Sequence, residues 1–402
     1  MSMSGWWKGL TEAEGASRMG QESFPGVLLA YCRVEGRDIM VGRIRVAVLG
    51  AGNFAREAHI PGLRAHPEAE VVALYSRSLS RAQQIAVAVG GVPLVTDDLA
   101  GLLARDDIDA VTVASSDDNH YHYTMAALQA GKHVYCEKPL AVRAELAAEM
   151  ARAAQERQRI GYVGFIFRYT YCVQALRQRI RAGDIGRPYW VWLQWLGYGQ
   201  RRTGAPSTWR DRAASYGAGW VAEIGSHFVD AINWIVGPVA GVCALVDALP
   251  QMAVEGERLI PRETFDHGSV LIRTGTGAQG ELMVSRIVPG HEALPFIQVV
   301  GEEGALWASL TRGQQEFLRV CRPGGGWEAV ELPPAAQDGK PHAIARMMGG
   351  FVDACLRGAI DREQDADFVE GYMVQSALDQ AVASARTGQF EPVAQGLASP
   401  RV

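Results

Sequence analysis

At 402 residues, with 48% apolar and 21% charged residues and a net charge of −5, the chain has the balance of a folded globular protein with room for two cores. It carries no basic run that could track phosphates, which argues against a nucleic-acid partner, and no apolar stretch long enough to cross a bilayer as a helix. Its six cysteines (Cys32, Cys136, Cys172, Cys243, Cys321 and Cys355) form no CxxC pair, which fits a reducing compartment, so a cytoplasmic location is expected.

Residues 1–42 contain Trp6-Trp7 and the charges Glu12, Glu14, Arg18 and Glu22 ahead of one short apolar piece, 24–30. A secretory leader has its basic residues first and an unbroken apolar core after them, so this segment does not read as one. It is expected to be a weakly ordered extension, upstream of an internal start at Met40, that completes no motif. From Arg43 the pattern alternates. Strands are expected at 44–49, 71–75, 109–114 and 133–136, with helices at 53–65, 79–89 and 119–130 between them. Single helices between strands imply right-handed crossovers and a parallel sheet covered on both faces. This gives a doubly wound α/β domain over 43–163.

After Gly164 the character changes. Strands are expected at 189–195, 242–249, 268–273, 280–288, 296–301 and 305–310, joined by glycine-containing turns rather than helices. Pro323-Gly324-Gly325-Gly326 reads as one more hairpin turn, and two helical patterns close the chain at 342–357 and 368–386. The second domain, 164–392, is therefore α/β with a large, mostly antiparallel sheet, followed by a tail at 393–402.

Four motifs carry chemistry. Gly50-Ala51-Gly52-Asn53-Phe54-Ala55 follows the first strand and opens a helix. Glycines there let the backbone turn tightly and approach a pyrophosphate, whose charge then rests on the helix N-terminus. A tight turn with no ligand uses the same residues, but the flanking strand–helix–strand context favours a dinucleotide on Gly50, Gly52, Asn53 and Phe54. The second strand ends in Tyr75-Ser76-Arg77-Ser78, with Arg81 a turn further on and no carboxylate for a ribose 2′-hydroxyl. Ser76, Arg77 and Arg81 therefore favour the 2′-phosphate of NADP, with NAD possible if these side chains are merely solvated.

Glu137-Lys138-Pro139 lies just past the strand at 133–136, on the ligand-binding edge of such a sheet. A lysine there can bind a substrate hydroxyl and assist its proton; taken alone it would read as a surface lysine. Glu223-Ile224-Gly225-Ser226-His227 puts a carboxylate and an imidazole one helical turn apart, suited to a general base oriented by its neighbour. A structural pair or half a metal site would look the same, but the pair supplies too few ligands for a metal, and His120 and His122 open a different helix. No metal is expected.

Taken together, these segments resemble the Gfo/Idh/MocA family of NAD(P)-dependent oxidoreductases, from about Arg43 to Pro392. The likeness is carried by Gly50–Ala55, by Ala130-Gly131-Lys132-His133-Val134-Tyr135-Cys136-Glu137-Lys138-Pro139-Leu140, by 177–186 and by 219–237. The resemblance implies a Rossmann domain, Lys138 as catalytic lysine beside Glu137, and His227 as proton acceptor and donor. Glu223 stands where the family usually has Asp. The resemblance also implies nicotinamide contacts from Trp209-Arg210 and a cofactor-covering loop with Ser115, Asn119 and His122, in which Ser116-Asp117-Asp118 stands where the family has a proline before the asparagine. The second-domain sheet would form a homodimer or homotetramer. Three activities share this constellation: a dehydrogenase or reductase of a sugar, polyol or glycoside; a redox-assisted glycoside hydrolase; and a cofactor-sensing regulator, against which the presence of both Lys138 and His227 argues. The aromatics Tyr189, Trp190, Trp192, Trp195, Tyr198, Trp209, Tyr216 and Trp220 could face a sugar ring, although Trp190 and Trp192 read more simply as core or interface.

Overall fold

The computed structural model describes residues 30–34, 37–197, 204–249, 251–288, 295–309 and 316–397. Trp6-Trp7, most of the 24–30 piece, Tyr198 and Leu310 fall outside them. The chain divides into two compact units, Met1–Arg43 and Ile44–Val402. In the first, β1 (Ala30–Val34) and β2 (Arg37–Val41) pair antiparallel. The extension thus contains a regular hairpin that was not expected.

In the second unit the chain runs through β3 (Ile44–Leu49), α1 (Ile60–Arg64), β4 (Ala69–Tyr75), α2 (Leu79–Ala88), β5 (Leu94–Thr96) and α3 (Leu99–Leu103). It continues through β6 (Ala110–Val113), α4 (Asp117–Gln129), β7 (His133–Cys136), α5 (Ala144–Glu156) and β8 (Gly161–Val163). The six strands form one parallel sheet in the order β5-β4-β3-β6-β7-β8, with the order reversing between β3 and β6. Val46, Ala47, Val48 and Leu49 are fully buried, as befits a strand covered on both faces. The helix read at 53–65 is present over 53–64, with a π-type turn at Ala55–His59 leading into α1. Pro61, which has no N–H to continue a regular ladder, follows directly on that wider turn.

The rest of the unit comprises α6 (Tyr171–Arg181), β9 (Pro188–Leu196), β10 (Ala205–Pro206), α7 (Ala213–Tyr216), α8 (Trp220–Ile235), β11 (Val239–Asp247), β12 (Met252–Glu255), β13 (Arg258–Pro261), β14 (His267–Thr274) and β15 (Gln279–Ser285). After these come β16 (Phe296–Gly301), β17 (Gly304–Ser309), β18 (Phe317–Cys321), β19 (Trp327–Val330), α9 (Gly339–Arg357), α10 (Phe368–Thr387) and β20 (Glu391–Pro392). A nine-stranded sheet runs β19-β18-β17-β16-β9-β15-β14-β11-β20, antiparallel throughout except where β9 meets β15. Its register lines up Ala244, Val270, Leu282, Leu193, Ile297, Ala308 and Leu318 on one buried face. The opposite face carries Leu271, Trp192, Trp307 and Leu245, of which Leu271 is 52% and Leu245 76% exposed.

Three helices join the two sheets. Helix α8 is buried between α10 and the packed sheet face, and a Cβ on Gly225 would lie 3.2 Å from Leu378 of α10. Helix α10 covers the edge of the parallel sheet, where Val163 donates to the Ala366 carbonyl at 2.9 Å. Helix α9 packs on α1. No helix among the described residues is long and apolar enough to cross a membrane.

Candidate active site

The glycine turn follows β3 directly. Gly50 adopts φ +119, and a Cβ there would meet the Ala114 carbonyl oxygen at 2.4 Å, so only glycine lets this turn press against the end of β6. Arg81 donates from Nε to the Ala51 carbonyl at 2.8 Å and so lies on the turn itself. At the end of β4, Ser76 Oγ accepts the Ser78 N–H at 3.2 Å, while Arg77 is exposed with no hydrogen bond or ion pair among the described residues. These residues sit at the carboxyl edge of the sheet, beside the reversal of strand order.

A cavity of about 600 Å³ opens at that edge, within the range of small-molecule sites. Of the expected site residues, Phe54, Ser115, Glu137, Lys138, Trp209, Arg210, Glu223 and His227 line it. Gly50, Gly52, Asn53, Ser76, Arg77 and Arg81 border the turn and strand end outside it, and Asn119 and His122 do not reach it. The loop after β6 explains the last point. Helix α4 begins at Asp117, with Ser116 extended before it, two residues earlier than expected. A two-residue shift turns a helix by about 200°, which exchanges its faces. Asn119 therefore bonds back to Ser116 Oγ at 2.9 Å, His122 is exposed, and Asp117 and His120 line the cavity. The run Ser115 to Asn119 offers several capping residues in succession, so sequence alone did not resolve the register.

Glu137 is buried. It accepts from Tyr135 OH at 2.9 Å and pairs with His59 Nε2 at 3.2 Å. Burial disfavours its ionisation, but the bond to His59, the Lys138 charge and the Tyr135 hydroxyl together hold its carboxyl below the usual range. Next to it, Lys138 Nζ donates to the Glu223 backbone carbonyl at 3.1 Å, spanning from the parallel sheet to the first turn of α8. That turn starts at Gly219, φ +63, where a Cβ would clash with the Phe265 backbone. The expected support of His227 by Glu223 is not formed: Glu223 Oε2 lies 3.5 Å from Arg210 Nε, and no hydrogen bond joins the carboxylate to the imidazole.

His227 instead stacks on Phe167 at 4.8 Å between centroids, and Phe167 stacks in turn on Trp195 at 6.2 Å. Burial, with Lys138 and Lys340 nearby, pushes the His227 pKa well below the ordinary value, so the ring is neutral. Among the described residues its buried Nδ1 has no partner, which leaves Nε2 as the nitrogen open to the cavity. Trp209 and Arg210 are fixed by a capping box in which Asp211 accepts the Thr208 N–H at 2.8 Å, and the Arg210 guanidinium covers the Trp209 ring at 4.3 Å. Asp117, His120, Phe167, Trp195, Glu316 and Lys340 also line the cavity. Sequence reading missed most of them as site residues because they come from remote segments that only the fold brings together.

A family model described as "Oxidoreductase family, NAD-binding Rossmann fold" (GFO_IDH_MocA) matches residues 44–165, and the GFO/IDH/MocA C-terminal domain matches residues 173–307. The chain belongs to the GFO/IDH/MocA oxidoreductase family. It is similar to an inositol 2-dehydrogenase of Acidothermus cellulolyticus, 31% identical over 86% of this chain and 93% of that protein. A D-glucoside 3-dehydrogenase of Escherichia coli is 34% identical over 48% of this chain and 54% of its own length. In fold, the chain is similar to levoglucosan dehydrogenase in complex with NADH and levoglucosan, with a TM-score of 0.80 and 23% identity over 88% of this chain and all of that one. As a GFO/IDH/MocA member the chain is an oxidoreductase with an NAD-binding Rossmann fold.

Proposed function

We propose that this enzyme moves a hydride between a nicotinamide cofactor and a hydroxyl or carbonyl of a sugar, polyol or glycoside, with Lys138 and His227 handling the proton. The observation that carries this reading is that the Lys138 ammonium and the neutral His227 imidazole, from different elements, line one cavity beside the glycine turn. The Gly50 turn fits a pyrophosphate, since its backbone approaches β6 where any Cβ would clash. The names of the relatives, which act on inositol, a glucoside and levoglucosan, support a polyhydroxy substrate. Phe167, Trp195 and Trp209 offer aromatic walls for the C–H faces of a ring. In our reading 43–163 holds the cofactor and 164–392 the substrate.

When bound, the nicotinamide accepts or returns the hydride. In the oxidative direction His227 Nε2 takes the proton of the substrate hydroxyl, and the Lys138 ammonium stabilises the oxygen as negative charge develops on it. In the reductive direction His227 returns that proton to the new hydroxyl. Glu137, tied to His59 and Tyr135, holds the backbone from which Lys138 projects. A panel of sugars, inositols and glycosides, followed by absorbance of the reduced cofactor, tests this reading; no turnover and no cofactor binding would sink it.

For the cofactor we infer a preference for NADP, supported by the exposed Arg77, unpaired among the described residues, next to Ser76 at the end of β4. Ser76→Asp with Arg77→Ala is expected to weaken NADP binding by roughly 10–150-fold, the worth of one charge-assisted hydrogen bond, and to spare NAD. Titrating both cofactors against both proteins checks this. An unmutated protein that prefers NAD would put Arg77 in solvent. We further infer a homodimer or homotetramer through the open sheet face, where Trp192 stacks edge-on against Phe296 at 5.0 Å beside the exposed Leu271 and Leu245. Leu271→Asp is expected to shift the assembly toward smaller species in light scattering, and an unchanged mass would reject this face.

A further inference from the structure

The carboxylates that line the cavity differ in how they are held. Glu137 is bonded to His59 and Tyr135, Glu223 lies against Arg210, and Glu316 accepts the Cys172 N–H at 2.8 Å. Asp117 is 7% exposed, lines the cavity, and its side chain makes no hydrogen bond or ion pair among the described residues. A buried carboxyl normally finds a partner, because leaving it alone costs free energy. Its position suggests what the partner is. Asp117 opens α4 directly after β6, between the glycine turn beyond β3 on one side and Lys138 at the end of β7 on the other. A dinucleotide held at the turn that reaches toward Lys138 must pass Ala114 and Ser115 and meet Asp117.

We propose that Asp117 discriminates between the redox states of the cofactor: its carboxylate attracts the cationic ring of oxidised nicotinamide and gains nothing from the uncharged reduced ring. This rests on the nicotinamide reading given above. A carboxylate close to a unit positive charge, away from bulk water, is a strong interaction on the Coulomb scale.

The charge state of Asp117 makes the idea measurable. Burial pushes its carboxyl up to about 8; Lys138 and Arg210 oppose that shift, while Glu223 and Asp118 add to it. Other ionisable groups surround it. On its own helix His120, and on α8 His227, are kept neutral by burial, whereas Glu137 is held ionised. Lys340 faces the cavity from α9. The helices α5 and α7, which pack against α4, bring Glu149, engaged by the Tyr121 hydroxyl, and Tyr216. From β7, burial raises the Cys136 thiol well above its usual range. Asp117 is thus a cavity group placed by burial to change charge near pH 8. The oxidised ring favours its ionised form and lowers its pKa in the complex. Affinity for oxidised cofactor therefore rises with pH up to about 8 and levels off above, by roughly tenfold for each unit of lowering. Affinity for reduced cofactor does not follow this rise.

The test measures dissociation constants of oxidised and reduced NADP and NAD by calorimetry, at about pH 6 and about pH 9, for the unmutated protein and for Asp117→Asn and Asp118→Asn. Asp118→Asn removes a charge from the same helical turn without touching the cavity. Asp117→Asn is expected to lose roughly tenfold in preference for the oxidised form near pH 9 and to make that preference independent of pH. Asp118→Asn should keep the preference for the oxidised form and its dependence on pH, with the rise moved to somewhat lower pH, because Asp118 adds to the upward shift of Asp117. If Asp117→Asn binds both forms with the unmutated ratio at both pH values, the proposal is overturned. If neither form binds the unmutated protein, the nicotinamide reading itself fails, and this proposal with it. Asp117→Ser provides a second neutral variant should the asparagine misfold.

Discussion

Lys138→Ala and His227→Ala are each expected to lower turnover by roughly 10²–10⁴-fold, the usual contribution of a positioned acid–base group, while oxidised cofactor still binds. Lys138 reaches the cavity from the parallel sheet and His227 from α8, so each substitution removes one of the two groups proposed to handle the substrate proton and leaves the glycine turn intact. The pH profile of the unmutated enzyme carries the same signature. A base must be neutral, and burial holds the His227 pKa well below its ordinary value. Its base form is therefore kept as pH falls through about 6.5 and lost only at a lower pH. Folding has the same sign: the unfolded chain takes up this proton below about 6.5 before the folded one does, so acid removes stability. Steady-state kinetics of both variants, with cofactor binding measured separately, check the assignment. Near-normal turnover in either would remove that residue from the chemistry.

Asp230→Ala is expected to destabilise the fold by about 3–5 kcal/mol, the usual result of leaving one partner of a buried ion pair behind. Asp230, fully buried on α8, accepts from Arg168 Nε at 3.1 and 3.0 Å and from Nη2 at 2.6 Å. Arg168 is 1% exposed and also donates to Glu370 of α10 at 2.7 Å and to the Asp365 carbonyl at 2.7 Å. Glu370 remains in the variant, so the loss should fall at the lower end of the range. Urea unfolding, read as a shift in midpoint at unchanged slope, measures it. A shift worth less than about 1 kcal/mol would mean that the guanidinium is satisfied without Asp230. Activity should fall further than stability, because Asp230 lies one turn beyond His227 and Arg168 adjoins Phe167, on which that imidazole rests.

Much of the fold was legible in the sequence because its punctuation is clear. The expected strands at 44–49, 133–136 and 296–301 match β3, β7 and β16 to the residue, each an apolar run stopped by glycine or by a change of character. The hairpin at Pro323–Gly326 is flanked by β18 and β19. Strands β5 and β8, at three residues each, are too short to carry a periodicity and were not expected. The lining of the candidate site was legible where motif and chemistry coincide, at Glu137-Lys138 and, for placement on the cavity though not for pairing, at Glu223 and His227. It was not legible where helix register decides, as at Asp117 and His120. Nor was it legible where a side chain chooses among partners: from a four-residue spacing, Glu223 facing His227 and Glu223 facing Arg210 are indistinguishable.

The bond from Lys138 Nζ to the Glu223 carbonyl bears on more than the joining of the two sheets. A free lysine samples many rotamers, and fixing them costs up to roughly 1.5–2 kcal/mol. Here that disorder is already lost on folding, before any substrate arrives. In the proposed chemistry the ammonium still has protons to offer a substrate oxygen, so the incoming hydroxyl would meet a charge that is already aimed. Its affinity and its rate are spared the entropy of recruiting the lysine from solution.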